Sequence, residues 1–208
     1  MLLRCQKHLK QIAGMKVREI FYSIQGEGAR QGTASIFIRL SNCNLNCWFC
    51  DTDWSTGTEM TVEEIKVKIE KYPCKEIVWT GGEPTLQLTN EILKQFEGYY
   101  HCIESNGTNE IPSLIDYIVV APKDALIHSS LLRIKIDEIR IPLSTISKMP
   151  NIEDYPQADN YFVSPVFLGK KKQRFELDIN NVNHCIAFVK NNPQWKLSLQ
   201  VHKLINIR

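Results

Sequence analysis

The apolar positions of this chain alternate between two periods. "KVREIFYSI" and "ASIFIRL" are dense in Ile, Phe and Val and predict two strands, joined by the glycine-rich loop "QGEGARQGT". The period then lengthens. In "TVEEIKVKIEKY", Val62, Ile65 and Ile69 recur at helical spacing, Thr61 caps the start and Glu64 completes a capping box. "KEIVWT" predicts a strand, "GGEPT" a turn, "NEILKQFEGY" a helix and "YHCIES" a further strand closed by the turn "NGT". "YIVVAP", "DEIRIPL" and "NYFVSP" continue as strands. "DINNVNHCIAFVKNN" predicts a helix with Ile179, Val182, Ile186 and Val189 on one face, stopped by Pro193, and "KLSLQVHKL" a last strand.

Strand followed by helix, repeated, predicts an α/β fold with parallel strands. The chain has 208 residues, short for a complete eight-unit barrel of about 250. A partial, incomplete TIM-like barrel is therefore expected. Ligands of such sheets sit at the carboxyl ends of the strands. The stretches "SNCNLNCWFCDTDW", "TGGEP", "ESNGT" and "VAPK" each follow a strand and should converge on one face. Residues 15–208 are expected to form a single domain. Residues 1–14 are either a loose arm or a segment preceding a true start at Met15.

Composition narrows the chemistry. Hydrophobic residues make up 43% and charged residues 23%, ordinary for a globular protein. The net charge of +2 is too small to argue for nucleic acid. No apolar run approaches the ~18 residues a membrane span needs, and no secretory signal is visible. A reducing, cytoplasmic compartment follows as the expectation. The chain has seven cysteines, an odd count. Cys5, Cys74, Cys102 and Cys185 are scattered and read as small buried hydrophobes or surface thiols. The basic run "KKKQR", residues 170–174, reads as a solvated loop.

Cys43, Cys47 and Cys50 stand apart as C-x3-C-x2-C. In a reducing compartment close-set cysteines are metal ligands sooner than disulfides, and thiolates select zinc or iron–sulfur clusters. Three cysteines leave one iron of a four-iron cluster open, a position useful for chemistry. The alternative is zinc, completed by a distant residue such as His101 or His202. The spacing, with Phe49 before the last cysteine, resembles the signature of the radical S-adenosylmethionine (SAM) superfamily. "TGGEP", one strand–helix unit later, resembles its GGEP motif. That resemblance implies a [4Fe–4S] cluster whose open iron binds SAM and cleaves it to a 5′-deoxyadenosyl radical.

The flanks are more particular. "EIFYSIQGEGARQGTASIFIRLSNCNLNCWFCDTDW" and the closing "LSLQVHKLINIR" are similar to the 7-carboxy-7-deazaguanine synthase family, from Met15 to Arg208. The resemblance implies a lyase of queuosine and 7-deazapurine biosynthesis. It would convert 6-carboxy-5,6,7,8-tetrahydropterin to 7-carboxy-7-deazaguanine with loss of ammonia, using SAM and Mg²⁺. It also implies a homodimer and a reductant protein such as flavodoxin or ferredoxin. A radical SAM activase acting on a protein glycine is the rival reading.

The same resemblance distributes roles. Ile24, Gln25, Gly26 and Glu27 hold the pterin, Arg39 grips its carboxylate, and Thr80 and the carboxylate of Arg208 contact it. Thr52 binds Mg²⁺, although Asp51 is the more obvious ligand from chemistry alone. Phe49, Gly82, Glu83, Glu104, Asn106, the segment Ala121, Pro122 and Lys123, and the segment Ser164, Pro165, Val166 and Phe167 surround SAM. Ala121 replaces an expected Ser and Ser164 a frequent Gln, so these two positions rest on main-chain contacts. Gln200, His202 and Lys203 support the tail.

Overall fold

The computed structural model describes residues 14–123, 126–167 and 178–208. The reading of residues 1–14 therefore lies almost wholly outside the described residues, and that of residues 170–174 entirely so. Strands β1 (Met15–Ile24) and β2 (Ala34–Leu40) form an antiparallel hairpin. The connection between them is too short for the dozen or more residues that a parallel crossover requires. A short strand not foreseen from sequence, β3 (Thr58–Met60), pairs antiparallel with β1. Helix α1 (Val62–Glu70) follows with the expected capping box, Thr61 Oγ1 accepting from Glu64 N–H and the Glu64 carboxylate from Thr61 N–H.

From β2 the sheet runs parallel. β4 (Glu76–Gly81) leads to the single-turn α2 (Asn90–Leu93), then β5 (Tyr100–Ser105), β6 (Tyr117–Val120), β7 (Ile136–Leu143) and β8 (Ala158–Pro165). Helix α3 (Ile179–Asn191) returns the chain to the two-residue β9 (Lys196–Leu197), and α4 (Val201–Leu204) ends it. Among the described residues the sheet has nine strands in the order β3-β1-β2-β4-β5-β6-β7-β8-β9 and does not close. This is the partial barrel expected, with an antiparallel edge.

Strand parity sorts the side chains. Ile36, Ile38 and Leu40 of β2 and Ile77 and Trp79 of β4 face outward and pack with Val62, Ile65 and Ile69 of α1 in the main core. Phe37, Val78 and Cys102 face inward with Phe21, whose ring stacks on Phe37 at 5.0 Å. The inner face is thus apolar at one end and carries Arg39, Thr80, Glu104 and Arg140 toward the other.

Two expectations are corrected. Helix α3 buries Asn181, Val182, Cys185 and Phe188, while Ile179 and Ile186 are exposed. Asn181 sets this phase: its side chain donates to Val166 O and accepts from Thr145 N–H, so a polar residue occupies the inner stripe. The last strand stops at Leu197: Ser198 N–H still bonds Val163 O, but the chain then turns to Gly26, where Val201 N–H donates to the carbonyl at 3.0 Å. No helix among the described residues is long and apolar enough to cross a membrane.

Candidate active site

A cavity of about 550 Å³ opens at the carboxyl ends of the parallel strands, within the usual range for small-molecule sites. The cysteine loop after β2 forms one wall. Asn42 adopts a left-handed φ of 70°, and its N–H bonds Trp54 O while Ser41 Oγ donates to Thr56 O, closing the loop on itself. Within it Cys50 N–H bonds Cys47 O, and Leu45 N–H points at Cys43 Sγ. Cys43, Cys47 and Cys50 all line the cavity and none is in a disulfide. Burial raises the Cys43 thiol above its ordinary pKa. Soft thiolates held on one loop beside a SAM-sized cavity suit an iron–sulfur cluster. His101 does not reach them. It sits on the outer face of β5, accepting from Trp79 Nε1 at 3.2 Å, so it cannot complete a zinc site with these thiols.

The GGEP turn lies against this loop. Gly82 N–H bonds Leu40 O and Glu83 N–H bonds Asn42 O. The structure places Glu83 outside the cavity lining. Its carboxylate is fully buried and accepts from Thr85 N–H, Thr85 Oγ1, Ser105 Oγ and Asn106 N–H. It ties the turn to the end of β5. Asn106, now fixed, donates to Asn44 Oδ1 at 2.9 Å and so joins the cysteine loop to the same framework. Gly82, Asn106, Ala121, Lys123, Phe49 and the segment Ser164–Phe167 line the cavity beside the cysteines, whereas Pro122 is buried behind it. Ser164 Oγ is buried with no protein partner, and Lys123 lies 5.9 Å over the Phe49 ring. Burial lowers the Lys123 pKa, although Glu27 and Cys47 oppose it.

The opposite wall is strongly charged. Gln25 Nε2 donates to Glu104 Oε1 at 3.0 Å, and Thr80 Oγ1 to Glu104 Oε2 at 3.2 Å. Glu104, expected around SAM, is therefore placed with the "QGEG" loop instead. Burial would raise its pKa, but Arg140, Gln25, Arg39 and Thr80 together hold the carboxyl below the usual range. Arg39, nearer the mouth, pairs with Glu19 at 2.9 Å and donates to Thr52 Oγ1 at 3.4 Å. Thr52 in turn donates to Asp51, whose carboxylate pairs with Lys203. Burial opposes the charge of Asp51, while Lys203, then Arg39 and Thr52, depress its pKa.

The C-terminal segment crosses the mouth. His202 packs against Gly26, leaving no room for a Cβ there. Ser23 Oγ donates to the Arg208 carbonyl, and the Arg208 guanidinium reaches Glu19 at 3.4 Å. Ile24, Gln25, Gly26, Glu27, Arg39, Thr52, Thr80 and Arg208 thus share one cavity with the cysteines. Sequence reasoning missed Arg140 and Glu138, which pair at the centre of the inner face. Their signal was charge at alternate positions of "DEIRIPL", a pattern that also describes a solvent-facing strand.

Comparison with known proteins agrees with this geometry. Residues 37–154 match the radical SAM superfamily. A 7-carboxy-7-deazaguanine synthase of Bacteroides thetaiotaomicron is 38% identical, covering 93% of this chain and 98% of that one. The enzyme of the same name from Haemophilus influenzae is 39% identical, covering 91% and 92%. The crystal structure of QueE from Escherichia coli superposes with a TM-score of 0.64 over 91% of this chain and 95% of that one; at 24% identity it speaks to the fold alone. With these relatives matched nearly end to end, the chain belongs to the 7-carboxy-7-deazaguanine synthase family of the radical SAM superfamily.

Proposed function

We infer that the protein converts 6-carboxy-5,6,7,8-tetrahydropterin to 7-carboxy-7-deazaguanine with loss of ammonia, as a carbon–nitrogen lyase. The observation that carries this is a single cavity with the three cysteines on one wall and Gln25, Glu27, Glu104 and Arg39 on the charged wall opposite. Cys43, Cys47 and Cys50 would hold a [4Fe–4S] cluster, which would supply the reducing electron for SAM cleavage. The chain's own residues bind and orient. Arg39 offers a planar fork to the substrate carboxylate near the mouth. The carboxylates of Glu27 and Glu104 accept from the amino edge of the heterocycle deeper in. Ser164 Oγ, buried without a protein partner, would add a side-chain donor to the main-chain contacts expected there. Glu83 acts behind the cavity, holding the turn that carries Gly82.

Thr52 and the neighbouring Asp51 offer hard oxygen donors to Mg²⁺, shared with the substrate carboxylate. The backbone carboxylate of Arg208 closes the mouth. A C-terminal peptide extension is therefore expected to raise KM for the pterin sharply; an extended protein with unchanged kinetics would remove Arg208 from the site. This reading takes flavodoxin or ferredoxin as reductant and a homodimer as the working form, in the cytoplasm.

The test is an anaerobic assay of reconstituted protein with dithionite, SAM, Mg²⁺ and the tetrahydropterin, read by mass spectrometry. Product of the expected mass supports the reading. 5′-Deoxyadenosine without product would leave the radical chemistry standing and remove the substrate, favouring the glycyl activase. Arg39→Gln is expected to raise KM for the pterin about 10- to 100-fold, the worth of a charged hydrogen bond, with kcat much less affected.

A further inference from the structure

Arg140 lies at the bottom of the cavity with only 7% of its side chain exposed. Its Nη1 donates to Glu27 Oε2 at 2.8 Å and to Glu104 Oε1 at 3.3 Å, and its Nη2 to Glu138 Oε2 at 2.9 Å. One guanidinium thus serves three carboxylates from three separate parts of the chain. Burial disfavours its charge, and Glu27, Glu104 and Glu138 more than offset that, raising its pKa. Glu138 is itself fixed, accepting from Ala29 N–H at 3.0 Å and Tyr117 OH at 2.8 Å. Gly28, at φ 69°, presses on this pair so closely that an added Cβ would lie 2.5 Å from Arg140 Nη2. The seat of the "QGEG" loop is therefore Arg140 with Glu138. Lys123 and His202 also face Glu27 from the loop after β6 and from α4.

The remaining oxygen of Glu27, Oε1, is buried in the cavity wall and has no protein partner. A buried acceptor without a donor is costly unless a ligand supplies one. We propose that Arg140 is a positioning residue that sets ligand specificity, holding one Glu27 oxygen and leaving the other as a fixed acceptor for the amino edge of a 2-aminopyrimidinone. A 2-oxo analogue would turn a carbonyl oxygen toward that acceptor and leave it unpaired and repelled, which is how polar sites reject near-isosteres. The inference rests on the pterin reading above.

Equilibrium dialysis of the anaerobic holoenzyme against 6-carboxypterin and 6-carboxylumazine, its 2-oxo counterpart, tests it without turnover. The wild type is expected to prefer the pterin by about 10²-fold or more. In Arg140→Gln the preference collapses to within a few-fold. Arg140→Lys keeps the buried positive charge but not the fork, so it retains part of the preference and decides the matter if the Gln variant does not fold. Equal loss of affinity for both ligands, with the ratio intact, would make Arg140 merely structural and overturn the proposal. A wild type that binds both ligands equally would overturn the role of Glu27 Oε1 while leaving a pterin-class site. A wild type that binds neither would remove the pterin reading, and this inference with it.

Discussion

Cys47→Ala protein folds but holds no intact cluster and cleaves no SAM, so product formation falls to background. The expectation follows from where Cys47 sits. It lies half-buried on the loop between β2 and β3, lines the cavity, and belongs to neither apolar core. Its removal costs little packing, whereas the cluster loses one of three protein ligands and the loop offers no substitute. Cys102 and Cys185 cannot replace it. Both are buried: burial alone pushes the Cys185 thiol up to about 12, and burial with the nearby Glu76 carboxylate raises Cys102 as well, far from the thiolate a metal needs. Cys185→Ala should accordingly keep full iron loading while losing some stability from its packing under α3. Iron content, 5′-deoxyadenosine yield and a melting curve on each variant read the contrast. A Cys47→Ala protein with wild-type iron and SAM cleavage would remove these thiols from the chemistry.

Much of this arrangement is legible in the chain itself because its signals are local. The cysteine spacing, the glycines of "TGGEP" and the Thr61–Glu64 box each depend on residues a few positions apart. The hairpin is different. "KVREIFYSI" and "ASIFIRL" announce strands, but only the length of the loop between them decides that they run antiparallel. Helix α3 misleads for another reason: Ile179, Val182, Ile186 and Val189 form a consistent hydrophobic stripe, yet Asn181 takes the inner face through bonds to Thr145 and Val166, far away in sequence. "KLSLQVHKL" alternates like a strand, and its turn at Ser198 is dictated by Gly26 and Gly28 at the other end of the chain.

The site follows the same division. Arg39 is readable because strand parity places it with Phe37, and in the structure it stands over the Phe21 ring at 5.9 Å. Arg140 is not readable, because its meaning lies in Glu27 and Glu104, 113 and 36 residues away. A charge buried among charges has the sequence pattern of a solvated one. Glu83 shows the converse: a motif points to it as a residue of the SAM wall, but its carboxylate lies outside the cavity lining and is spent on Thr85, Ser105 and the Asn106 N–H.

A demanding substitution need not be of a charged group, and Gly82 shows why. Its φ is not left-handed, so conformation alone would permit alanine; what forbids it is proximity. A Cβ at Gly82 would lie well under 3.0 Å from the Asn42 carbonyl oxygen, 2.5 Å from the Asn42 carbonyl carbon and 3.1 Å from Cys43 N. All three are backbone atoms, so no rotamer change relieves the clash. The Asn42 oxygen is also the acceptor for Glu83 N–H at 2.9 Å. Moving it breaks the stitch between the GGEP turn and the cysteine loop and displaces Cys43 directly. Overpacking of this kind costs about 1–3 kcal/mol, and a displacement of about 1 Å at a reacting centre costs about 10²-fold in rate. Gly82→Ala should thus lower urea stability by that amount, load iron poorly and weaken SAM binding by two orders of magnitude or more in calorimetry. Gly98→Ala provides the comparison: at φ 83° with open space around it, it strains the backbone by about 1–2 kcal/mol and touches nothing in the cavity. If Gly82→Ala bound iron and SAM like the wild type while Gly98→Ala lost as much stability, close approach at Gly82 would not be what joins the two motifs.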